Sequence, residues 1–67
     1  MNLEKLSPQA RADLGECVDA YYHGGKRLAS LTFRAVCEAR KLTKVEAVML
    51  GGAIRQQLTA LGYLAIH

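Results

Sequence analysis

The chain predicts an all-α fold, a small helical bundle, on three observations. Hydrophobic residues make up 51% of its 67 residues but aromatics only 6%, so a core must be assembled from Leu, Ala, Val and Met, which suits close-packed helices. Apolar residues recur at helical spacing through most of the chain. Start and stop residues bracket those runs, Ser7-Pro8 and Thr43 opening them and Gly24-Gly25 and Gly62 closing them. The predicted helices cover roughly residues 8–23, 28–41, 43–50 and 52–61 of one domain. A chain this short buries only about 60% of the surface its unfolded form exposes, so a homodimer is expected to supply further apolar burial.

Taken in order, Met1 to Leu6 is a lead-in. Ser7 can accept a hydrogen bond from a free amide of the first turn, and Pro8 at the first helical position loses no bond the helix would have made. Ala10, Leu14, Cys17, Val18 and Tyr21 form one apolar stripe, with Arg11, Asp13, Glu16 and Asp19 around it. Gly24-Gly25 ends this helix, because glycine takes left-handed conformations without steric cost. Tyr21-Tyr22-His23 on its last turn is an aromatic cluster that either anchors a partner or contributes one ring to the core. In the second helix Leu28, Leu31, Ala35, Ala39 and Leu42 fall near one face, which Phe33, Val36 and Cys37 broaden. An alternative starts that helix at Thr32 and makes residues 28–30 a short extended segment.

Thr43 and Glu46 form a Thr-x-x-Glu capping box, after which Val45, Val48 and Met49 are expected to face inward. Two glycines inside a helix cost roughly 1 kcal/mol each against alanine, so a break is expected at Gly51-Gly52. If the helix ran straight through, the pair would instead be a flat patch for close helix packing across a dimer. Ile54, Leu58 and Leu61 supply the buried side of the last helix, and Tyr63 to His67 reads as a terminal strand or a tail packed on a partner subunit. The helix expected at 43–50, a turn at Gly51-Gly52 and the helix expected at 52–61 outline a helix-turn-helix. Through Glu38-Ala39-Arg40-x-Leu42-Thr43-x-x-Glu46, the chain resembles the small phage-repressor-type helix-turn-helix regulators over about half its length. The resemblance implies a DNA-binding transcriptional regulator, a dimeric repressor of a short palindromic operator.

Charge is distributed in keeping with that. The net charge is +3; acids and bases cancel over residues 1–33, and the whole excess lies in residues 34–67. An α-helix fits the major groove, where Gln pairs two-pronged with adenine and Arg with guanine. The candidate base readers are therefore Arg55, Gln56 and Gln57 with Thr59, and the candidate phosphate contacts are Arg40, Lys41 and Lys44. The same residues would also serve as the polar outer face of an amphipathic helix. The alternative reading is a small helical inhibitor or adaptor that binds a host protein, as compact phage and plasmid products do. Tyr63, Leu64 and Ile66 are the candidate dimer or partner contacts.

Other classes find little support. No paired carboxylates on one face, nucleophile elbow or Gly-rich phosphate loop suggests an enzyme, and no cofactor is expected. Cys17, Cys37, His23 and His67 lack the paired spacing of a zinc site, and the cysteines read as small reduced core residues. No signal-peptide core or apolar run near 18 residues is present, which points to a cytoplasmic protein without membrane contact.

Overall fold

A computed structural model describes residues 6–64. The fold is all-α: α1 spans Pro8–Arg40 and α2 spans Lys44–Ala60, and no strand occurs among the described residues. Helix α1 is not one rod. Straight, its 33 residues would reach about 50 Å at 1.5 Å per residue, yet the longest extent of the molecule is 29 Å. The chain reverses at Gly25, whose φ of 72° and ψ of −162° lie in a region essentially confined to glycine. Residues 8–24 and 26–40 are therefore two limbs that fold back on each other, and with α2 they make three packed helical segments.

Each start rests on the expected side chain. The Ser7 hydroxyl accepts from the Ala10 amide at 3.1 Å, and Pro8 follows. Thr43 Oγ1 accepts from the Glu46 amide at 3.2 Å while Glu46 Oε1 accepts from the Thr43 amide at 2.9 Å, closing the capping box. These bonds hold the Glu46 carboxyl below the usual carboxylate range, the backbone bond contributing most. Helix α1 ends at Lys41 in the left-handed conformation (φ 52°, ψ 46°), with the Leu42 amide bonded to the Cys37 carbonyl. Gly62, at φ 85°, ends α2 in the same way, with the Tyr63 amide on the Leu58 carbonyl at 2.9 Å.

The core is small: Leu14 and Cys17 from the first limb, Val36 from the second, and Leu50, Ala53, Ile54 and Leu58 from α2. Leu6, Val18, Tyr21, Phe33, Leu42 and Leu64 pack around it. Burial pushes the Cys17 thiol up to about 11, with the neighbouring Glu16, Asp13 and Cys37 adding to the effect, so it stays protonated at neutral pH.

Several expectations are corrected. Helix α2 runs through Gly51-Gly52 without a break, so the helices expected at 43–50 and 52–61 are one element. The turn of the expected helix-turn-helix is not formed there. Continuity is favoured because a single helical register places Leu50, Ala53, Ile54 and Leu58 on one stripe, and that burial with the capping box offsets the glycine cost. The same register turns Val45, Val48 and Met49 outward, at 69%, 67% and 47% exposure, rather than inward. Leu61 is likewise exposed. On the second limb of α1 the packed stripe is Phe33, Val36 and Cys37, while Leu28, Leu31, Ala35 and Ala39 face solvent. Residues 28–30 are helical, which removes the extended-segment alternative. Leu61 to Leu64 forms turns and bends; Ala65 to His67, on which the rest of the expected strand falls, lie outside the described residues.

Candidate functional site

Where three helical segments pack around so small a core, one seam is left open. The second limb of α1 presents Lys26, Ala29, Ser30 and Phe33, at i, i+3, i+4 and i+7. Helix α2 presents Lys44, Ala47, Val48, Gly51, Gly52 and Arg55, which continues the same spacing to i+11. Between these stripes lies a groove of about 920 Å³, floored by Phe33, Ile54 and Leu58 and bounded by Tyr21 and Leu64. Small side chains create it. Ala29, Ser30, Ala47 and the two glycines leave unfilled the space that larger residues would occupy, and the Phe33 ring edge approaches to 3.5 Å of where a Gly51 Cβ would stand.

Its electrostatics are one-sided. Lys26, Lys44 and Arg55 line the groove, and among the described residues no carboxylate lines it or pairs with any of the three. The cations are solvated and the floor is apolar. A second, smaller depression of about 310 Å³ lies between the two limbs of α1. It holds Asp13, which is 4% exposed, and Arg40, whose Nε and Nη2 donate to the two Asp13 carboxylate oxygens at 3.3 Å each. Gln9 donates a third bond to Asp13 at 3.1 Å. That pair is satisfied internally and joins residues 27 apart in the chain.

Of the residues singled out as DNA contacts, this geometry brings Lys44 and Arg55 to one wall of the groove and disperses the others. Arg40 is engaged by Asp13, Lys41 is the left-handed cap of α1, and Lys44 sits on the groove wall. Arg55 and Gln56 are exposed on α2, but Gln57 is half-buried on the side that faces the core. The Thr59 hydroxyl donates to the Arg55 carbonyl at 2.9 Å. Consecutive helical residues are about 100° apart, so Arg55, Gln56 and Gln57 do not point in one direction. Tyr63 packs within its own chain, its ring centroid 6.0 Å from those of both Tyr21 and Tyr22, and Leu64 is half-buried against the core. Ile66 lies outside the described residues.

The groove itself went unforeseen. The signal that could have found it is the stripe of Ala47, Gly51 and Gly52 between Lys44 and Arg55, which appears only if α2 is read as continuous. Among the described residues no helix is long and apolar enough to cross a membrane, and no group of three or more His, Cys, Asp or Glu converges as a metal site would require. Comparison of the chain with family models, curated proteins and solved structures returned no match.

Proposed function

We propose that this chain is a small non-catalytic adaptor or inhibitor module that docks a helix of a protein partner in the groove between the second limb of α1 and α2. The observation that carries this is the groove: two helical walls of small residues over an apolar floor, with nothing of the described chain covering it. Three packed segments with one open seam are completed by a fourth helix, as in a four-helix bundle. Small residues on both walls allow the close approach that ridges-into-grooves packing requires. The helix-in-groove mode of recognition uses an apolar face read at i, i+3, i+4 and i+7, and the floor offers matching contacts in Phe33, Ile54 and Leu58.

A second reading, the DNA-binding repressor, is supported by Lys44, Arg55 and Gln56 standing exposed on α2 and by the basic excess of the C-terminal half. It lacks a turn within α2 and a shared direction for its base readers. The two readings separate in one experiment, a titration of ¹⁵N-labelled protein with 16-residue amphipathic helical peptides and, separately, with mixed-sequence duplex DNA. Docking predicts amide shifts at Ala29, Ser30, Ala47 and Gly51 on peptide addition, abolished by Ser30→Tyr, a bulky change at an exposed groove position. Shifts at Lys44, Arg55 and Gln56 with DNA alone, falling steeply with salt, would put the repressor in its place.

A further inference from the structure

Resting on the docking reading above, we infer that the helix the groove receives is acidic as well as amphipathic. Its carboxylates stand at both ends of a three-turn apolar stripe, opposite Lys44 and Arg55. These two cations are eleven residues apart on α2, which is about 16 Å along the axis, and eleven residues bring a helix back to within about 20° of its starting direction. They therefore mark the two ends of one wall, and Lys26 stands on the other. An apolar helix lowered onto this groove would take water from an ammonium and a guanidinium that pair with no carboxylate among the described residues, and desolvating unpaired charge is costly. An acidic helix replaces the lost water with ion pairs. Among the described residues no carboxylate lines the groove to compete for the cations or to repel such a ligand.

The spacing sets the ligand's dimensions. A helix lying along α2 needs acids about eleven residues apart, i and i+11, flanking apolar residues at i+3, i+4, i+7 and i+8 that reach Phe33, Ile54 and Leu58. Its minimum length is about 12 residues, three turns or a little more.

The test is a selection of random 16-residue peptides displayed on phage against the folded full chain. It is repeated on the Lys44→Glu/Arg55→Glu double variant, whose changes fall on exposed positions, and on Ser30→Tyr. Circular dichroism confirms that each variant keeps its helix. The inference expects enriched peptides to be amphipathic and net acidic, with acids near the i, i+11 spacing, to bind the double variant at least tenfold more weakly, and to lose affinity as salt rises. Enrichment of apolar helices without charge bias, bound equally by the double variant, would overturn the acidic ligand while leaving the groove as a docking site. Enriched peptides that bind Ser30→Tyr as well as the parent would overturn both. So would a dimer of the chain that dissociates on charge reversal in sedimentation, since a second copy would then be the occupant.

Discussion

The chain contains the same dipeptide twice, and the two copies do opposite things. At Gly24-Gly25 the helix reverses; at Gly51-Gly52 it continues. Gly25 has φ 72° and ψ −162°, while a Cβ on Gly24 would stand 2.6 Å from the Leu28 side chain. Gly51 and Gly52 are ordinary helical residues; the Phe33 ring lies 3.5 Å from where a Cβ on Gly51 would stand, and a Cβ on Gly52 would face open space. Intrinsic propensity is identical at the two sites, so tertiary packing decides. Reversal at Gly25 brings Leu14 and Cys17 into one core with Val36, whereas continuity at Gly51 and Gly52 keeps Leu50, Ala53, Ile54 and Leu58 on one stripe. The first pair shapes the fold, and the second, spared from turning, lines the groove.

The largest effect expected from breaking this contrast is at the reversal. Gly25→Ala should destabilise the protein by about 1–3 kcal/mol, because alanine resists that backbone conformation, and in so small a domain a urea titration would show a lost or much earlier transition. Next comes the tie that holds the two limbs together opposite the turn. Arg40→Ala leaves Asp13 buried with Gln9 as its remaining partner, and a loss of roughly 1–3 kcal/mol in thermal denaturation is expected. At the second glycine pair the sign should invert. Gly52→Ala meets nothing within 4 Å and should stabilise α2 by about 0.5–1 kcal/mol, read as a later urea midpoint. A destabilising outcome there would mean that the helix turns at this point after all.

The smallest effect concerns the start of α2. The Glu46 carboxyl is held below its ordinary range in the folded chain, so its stabilising contribution is present above the unfolded carboxylate pKa and is lost as pH falls through the folded one. Stability measured from neutral pH down into the acid range should therefore fall less steeply in Glu46→Gln, which keeps an acceptor for the Thr43 amide without the titrating group.

Much of the local structure was legible in single residues. Ser7-Pro8, the Thr43 and Glu46 capping box and the Gly62 terminus all act through neighbours within four or five positions, and the stripe from Leu14 through Tyr21 is written in one helical period. What escaped depends on distant partners. The engagement of Arg40 by Asp13 joins positions 27 apart, and no local pattern distinguishes a structural arginine from one that contacts phosphate. The inward assignment of Val45, Val48 and Met49 followed from breaking α2; once the helix is continuous, the larger apolar stripe on its other side wins the core. The groove was invisible for the same reason, since its walls are stripes that meet only when the helices are packed.

The continuity of α2 is the claim on which the groove, the docking reading and the acidic ligand all stand. Backbone assignment of the ¹³C,¹⁵N-labelled protein tests it directly, through Cα secondary shifts and sequential amide NOEs from Lys44 to Ala60. Uninterrupted helical values through Gly51 and Gly52 are the predicted result. Non-helical shifts at the two glycines, with the NOE chain broken between Leu50 and Ala53, would contradict the account and return residues 53–60 to a separate helix able to enter a DNA groove.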